Sequence, residues 1–233
     1  MKGKVRIDGV YDLKTIRFLE EIGIDEYGLD FRPKSFNFIP EHQFLEIMES
    51  TYSHHKRYFL LFSAEKEFVV KKIVEDLQMT LLKANIPWPT ANIFLDLSDM
   101  KDPKFCLQLG VPFFIRITPD TKNLTDFLTP MAKGIIIDFE HLKMVEKNGG
   151  PRGGIDSFIQ GIHEDWQKRI GRHARPELAL NLDWFQEGIL NHWDSRFDFK
   201  ILPINNKVEY SYRRVNYQKM KIELKREFLP KYI

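Results

Sequence analysis

Two carboxylates, Asp8 and Asp138, each close a short apolar run, Val5-Arg6-Ile7-Asp8 and Ile135-Ile136-Ile137-Asp138. Such runs read as strands of a parallel sheet, whose reactive groups gather beyond the carboxyl ends. Two carboxyls at that edge can divide acid and base roles when their surroundings separate their pKa values. The other reading of each is a strand-end Asp that caps the following helix. A further feature is Asn148-Gly149-Gly150-Pro151-Arg152-Gly153-Gly154, just ahead of a helical segment. Free backbone N–H groups and the helix dipole attract anions there, and Arg152 adds a charge suited to phosphate or carboxylate.

Other chemistries lose support. The His54-His55 pair and His163 with Asp165 lack the spacing of a metal motif. No phosphate-binding Gly-Lys loop, nucleophile elbow or dinucleotide fingerprint is present. The lone Cys106 excludes an internal disulfide and a cysteine metal cluster. Neither a metal nor a cofactor is therefore expected. A net charge of +2, from 35 basic and 33 acidic residues, gives no global field toward nucleic acid. The basic residues from Arg213 to Arg226 are interrupted by Tyr212, Met220, Ile222 and Leu224, as on the solvated face of an amphipathic helix, with a phosphate-binding patch as the alternative. No leader-like segment and no membrane-length apolar run is seen, so a cytoplasmic protein is expected.

The elements that must position Asp8 and Asp138 alternate along the chain. The first strand and a helix carrying Ile16, Leu19 and Ile22 lead to a second strand ending at Asp30-Phe31 and a Pro33-Lys34-Ser35 loop. A helix opens at Pro40-Glu41, and Arg57 to Phe62 is an apolar run buried on both faces. Helical spacing covers Glu67 to Ala84, and Asn92 to Leu97 is the fourth strand. Pro103 to Leu109 is a short helix, Pro112 to Ile117 the fifth strand and Asn123 to Met131 its helix. After the sixth strand, Gly134 to Asp138, the segment Phe139 to Gly154 reads as a long loop, of the kind that is often functional. A helix from Ile155 to about Ile170, a strand at Glu177 to Leu182, a helix at Trp184 to His192, a strand at Phe197 to Ile204 and a helix at Val215 to Phe228 complete the chain. Strands and helices in this alternation, over 233 residues without a composition break, predict one α/β domain spanning 1–233, a (β/α)8 TIM barrel.

The chain resembles the phosphoribosylanthranilate isomerase family, the tryptophan-pathway barrel enzymes. Arg6-Ile7-Asp8-Gly9-Val10-Tyr11 stands where that family has Lys-Ile-Cys-Gly-Ile-Thr, and Gly28-Leu29-Asp30-Phe31-Arg32-Pro33-Lys34-Ser35-Phe36-Asn37-Phe38-Ile39 fits its second motif in register. Ile136-Ile137-Asp138, Gly149-Gly150 and Ile155-Asp156-Ser157 stand at the places of its sixth-strand motif. The resemblance implies an Amadori-type aldose-ketose isomerisation, with Asp8 in the place of the general base Cys and Asp138 as the general acid. The related histidine-pathway isomerase uses an Asp at the base position. In the substrate-holding places the resemblance puts Lys34, Asn37 for an Arg, Gly149 and Gly150, Leu180-Asn181 for a Gly-Gly, and Asn205-Asn206-Lys207 for a Ser-Ser-Gly.

Two readings follow. One is a divergent isomerase of this kind acting on a phosphorylated sugar or a related small carbonyl compound through Asp8 and Asp138. The other is a barrel that no longer catalyses and serves as a binding or interaction protein. The expected partner is a small molecule rather than nucleic acid or membrane, with the protein a monomer or homodimer.

Overall fold

The computed structural model describes residues 4–86, 88, 92–98, 103–118, 121, 124–148, 154–186 and 194–227. Eight parallel strands close into a barrel in chain order: β1 Lys4–Asp8, β2 Glu26–Asp30, β3 Arg57–Phe62, β4 Ile93–Leu97, β5 Phe113–Ile117, β6 Ala132–Asp138, β7 Glu177–Asn181 and β8 Phe199–Pro203. Closure comes from β1 pairing with β8, in register Asp8 with Pro203. The helices are α1 Leu13–Glu21, α2 Glu41–Thr51, α3 Glu67–Lys83, α4 Pro103–Leu109, α5 Phe139–Asn148, α6 Gly154–Ile170 and α7 Tyr217–Glu227. Asp12 caps α1 by accepting from the Thr15 N–H at 2.6 Å, and Asn216 does the same for α7 through the Lys219 N–H at 2.9 Å. The expected (β/α)8 architecture is present.

Alternation along each strand sends every second side chain into the barrel. One interior layer is phenylalanine: Phe59, Phe94, Phe114 and Phe199 pack with ring centroids 5.1 to 5.9 Å apart. Gly134 on β6 admits Phe114, because a Cβ there would lie 2.3 Å from that ring. The guanidinium of Arg57 sits 4.7 Å from the Phe94 centroid and pairs with Glu26 at 3.0 Å and Glu177 at 2.8 Å. The guanidinium of Arg6 lies 4.1 Å from the Phe59 centroid. Aromatic faces attract cations, so the plug is held between two arginines that are themselves paired. The lumen is a packed core rather than a pore.

Three segments depart from expectation. Phe139 to Asn148 is the helix α5, not the start of a long loop. Phe139 and Leu142 are buried at i, i+3 and the helix packs beside α6, a pattern that the neighbouring glycines obscured. The helix anticipated over Asn123 to Met131 is a single 3-10 turn, Leu124–Phe127. Pro130 disfavours the helical region for the residue before it, which cuts the segment short. The last helix starts at Tyr217 rather than Val215, because β9 Glu209–Ser211 and β10 Arg214–Val215 form an antiparallel hairpin ahead of it. Arg213 takes the left-handed turn position, φ 54°, where hairpins usually place Gly or Asn, so the turn carried no ordinary signal. Of the helix expected from Trp184 to His192, residues 187–192 lie outside the described part of the chain.

Candidate active site

Asp8 ends β1 at the carboxyl rim, with its carbonyl accepting from the Ile204 N–H at 2.8 Å and the Gly9 N–H donating to Gly28 O at 2.9 Å. The strand end is thereby clamped between β2 and β8. Gly28 on β2 makes the space for the carboxyl: a Cβ at that position would fall 1.9 Å from Asp8 Oδ1. Only glycine leaves Asp8 this inward seat.

The carboxyl is the first member of a buried charge ladder across the mouth. Arg6 donates to it from Nε at 2.5 Å and Nη2 at 3.0 Å, and the same Nη2 also bonds Asp96 Oδ2. Arg116 Nη2 donates to Asp96 Oδ2 at 2.9 Å and lies 4.0 Å from Asp8 Oδ2, while its Nη1 reaches Asp138 Oδ1 at 3.1 Å. Asn181 donates to that Asp138 oxygen at 2.7 Å. Asp8 and Asp138 thus meet through one guanidinium, and both are already hydrogen-bonded. The side chain of Asp138 is 28% exposed against 10% for Asp8, so its approach from solvent is the more open.

The ladder separates the behaviour of its carboxylates. Burial pushes Asp8 above the usual carboxylate range; Arg6 opposes this, and the charge of Asp96 adds to it. Burial also works against ionised Asp96, but Arg116 and Arg6 outweigh it and hold Asp96 below its ordinary value. Asp8 is the titrating member, and Asp96 the fixed anion. Arg116 is buried too, yet Asp96, Asp138 and Asp8 together raise its pKa.

A cavity of about 870 Å³ opens over β1, β2 and β8. Of the residues anticipated from sequence, Asp8, Lys34, Asn37, Asn205 and Asn206 line it, whereas Asp138, Asn181 and Lys207 do not. Gly149, Gly150 and Arg152 lie outside the described residues. Asn37 acts as a strut, donating from Nδ2 to Ile204 O at 2.6 Å and so tying the β2 loop to the β8 loop. The hairpin supplies a wall through Glu209, Tyr210, Ser211 and Tyr212, and Phe36 faces it from the β2 side. Arg213 holds the hairpin down by donating to Phe38 O. Lys207 is committed to Asp183 at 2.8 Å, as is Asn205 at 2.9 Å.

Arg6, Asp96, Arg116 and Arg32 are site residues that motif reading missed. Arg32 forms a fork on Asp30 at 2.8 and 2.6 Å beside the cavity. The signal for the ladder was present, since Leu95-Asp96-Leu97 and Ile115-Arg116-Ile117 place single charges inside apolar strands. A charge buried there requires a partner. Among the described residues no group of three or more His, Cys, Asp or Glu is arranged to hold a metal ion, and no helix is long and apolar enough to cross a membrane.

No protein-family model matches the sequence, and no curated protein matches it. Solved structures do match it in fold. A phosphoribosylanthranilate isomerase from Thermotoga maritima aligns over 96% of this chain and 97% of its own at 16% identity, with TM-score 0.61. A phosphoribosylanthranilate isomerase in complex with reduced 1-(o-carboxyphenylamino)-1-deoxyribulose 5-phosphate aligns over 96% and 97% at 14% identity, also with TM-score 0.61. The phosphoribosyl anthranilate isomerase from Thermus thermophilus gives TM-score 0.58 at 14% identity over 96% and 97%. The likeness establishes the fold, an eight-stranded barrel of the kind these isomerases have.

Proposed function

We propose that this protein is a divergent phosphoribosylanthranilate isomerase-like enzyme that moves a proton between adjacent carbons of a sugar-like carbonyl compound. Asp8 is the base and Asp138 the acid. In the ring-opening and enolisation of such a compound, Asp138 gives a proton to the departing ring oxygen, and Asp8 removes the proton from the carbon next to the resulting carbonyl or imine. The observation that carries the reading is Asp8 itself. It is a carboxyl at the strand end that lines an 870 Å³ cavity, lifted by burial above the usual range. A carboxylate with a raised pKa is a stronger base at the pH where a sugar substrate is handled.

The ladder holds both carboxyls in place. Asp96 keeps a permanent negative charge between the two arginines, which orients Arg6 under Asp8 and Arg116 toward Asp138. Asn181 fixes Asp138 from the other side. Positions held this rigidly are what proton transfer needs, because misplacement by about 1 Å can cost a hundredfold in rate. The ligand of one structural neighbour is a ribulose phosphate derivative, and the substrate sought here is chemically related to it.

One observation favours the binding-protein reading. Both carboxylates are satisfied by arginines, as in a site kept for structure. A panel of aldoses, ketoses and amino-deoxyketoses, with and without phosphate, incubated with wild type, Asp8→Asn and Asp138→Asn and followed by NMR, separates the readings. Interconversion that both variants lose supports the enzyme. Complementation of a tryptophan auxotroph lacking the isomerase tests the specific activity of the structural neighbours.

A further inference from the structure

We propose that Asp183 determines specificity: its carboxylate fills the anion position formed by the loops after β7 and β8, so the compound bound at this mouth carries no phosphate at that end. The inference rests on the proton-transfer reading for the identity of the mouth, and it narrows the substrate to a sugar-like compound ending there in a hydroxyl. In (β/α)8 barrels the loops after the seventh and eighth strands frequently build a phosphate site. Here they carry a suitable donor set, and it is occupied from within.

Three donors of different kinds converge on Asp183. Lys207 Nζ is 2.8 Å from Oδ2, while Asn205 Nδ2 at 2.9 Å and the Trp184 main-chain N–H at 2.8 Å both bond Oδ1. An ammonium, an amide and a backbone N–H are what a phosphate oxyanion would recruit. The donors are also held in place. Lys207 N donates to Asn205 Oδ1 at 3.0 Å, Lys207 Nζ makes a second bond to Trp184 O at 3.2 Å, and the Trp184 indole, wholly buried, donates to Pro203 O at 2.6 Å. Both carboxylate oxygens are bonded and these three donors are engaged by them, so an incoming dianion meets a fixed negative charge where the donors would have received it. Although burial opposes ionisation, Lys207, Asn205 and the Trp184 N–H keep Asp183 below the usual carboxylate range, which maintains that charge. Asn205 lines the cavity while Asp183, Trp184 and Lys207 do not, so the clamp meets the site through Asn205.

The test is titration of wild type, Asp183→Ala, Asp183→Asn and Asp183→Ala/Lys207→Met with inorganic phosphate, with ribose 5-phosphate and with ribose, read by 31P line broadening and calorimetry. Asp183→Ala is expected to bind phosphate and ribose 5-phosphate at least roughly tenfold more tightly than wild type, a factor of ten corresponding to about 1.4 kcal/mol. The gain should be smaller in Asp183→Asn, which keeps the shape and loses the charge, and absent once Lys207 is replaced. Ribose should be indifferent to all three changes. Cooperatively melting Asp183→Ala and Asp183→Asn proteins that bind phosphate no better than wild type would overturn the proposal, as would tight ribose 5-phosphate binding by wild type with Lys207 shifted off Asp183. No turnover is measured, so failure of the catalytic reading leaves this result standing, and the reverse also holds.

Discussion

Replacing Asp96 by Asn tests the charge ladder at its hinge. In the folded protein Asp96 Oδ2 accepts from both Arg6 and Arg116, and the side chain is 2% exposed, so little screening weakens either bond. Removing one partner from a buried ion pair usually costs about 3–5 kcal/mol. Asn keeps one acceptor oxygen, and each arginine keeps another carboxylate, Asp8 or Asp138, so the lower end, about 3 kcal/mol, is expected. For a chain of this size each kcal/mol moves Tm by about 2–4 °C, giving a loss of roughly 6–12 °C at neutral pH. The loss should shrink in acid. Asp96 has a depressed folded pKa, so its contribution is present above the unfolded value near 3.9 and disappears as pH falls through the folded one. At the same time the Asp8 pKa should fall, because the Asp96 charge that pushes it up is gone and Arg6 is no longer shared. Calorimetry across pH measures the first effect and 13C carboxyl titration the second. A variant that melts with wild type, or in which Asp8 does not move, would refute the ladder as the source of both.

Gly28→Ala should be destabilised by about 1–3 kcal/mol through overpacking, and it should displace the Asp8 carboxyl, since the new methyl would sit 1.9 Å from Oδ1; calorimetry and the Asp8 titration check this. Phe59→Ala should cost about 3–5 kcal/mol in denaturant unfolding, because Phe59 stands at the centre of the ring layer between Arg6 and Arg57. Arg213→Gly preserves the left-handed turn and removes the latch to Phe38 O, so global stability should change by only about 1 kcal/mol while limited proteolysis cuts the hairpin faster.

The barrel was legible because its strands are apolar runs buried on both faces and its helices carry period-3.6 stripes, local patterns that survive without any knowledge of partners. Asp8 was legible as a strand-end carboxylate, and the seating of Asn37, Asn205 and Asn206 around one cavity followed from their places after β2 and β8. The ladder was not, because pairing Arg6 with Asp96 depends on which strands face each other across the lumen, and pairing Arg116 with Asp138 on the register of two neighbouring strands, at separations of 90 and 22 residues. The hairpin was hidden because Arg213 adopts a glycine-like backbone without being glycine. The role of Asp183 needed the donors of two loops to be seen together, and no spacing in the chain announces that.

Asp8 is proposed to take a proton from carbon. The most direct measurement of this is exchange of the proton next to the carbonyl with solvent in D2O, followed by 1H NMR over the sugar panel for wild type and Asp8→Asn. Wild type is expected to show exchange with at least one compound, lowered by about 10²–10⁴ in Asp8→Asn while its near-ultraviolet circular dichroism is unchanged. Exchange at the wild-type rate in a folded Asp8→Asn protein, or none in wild type with any compound, would contradict it.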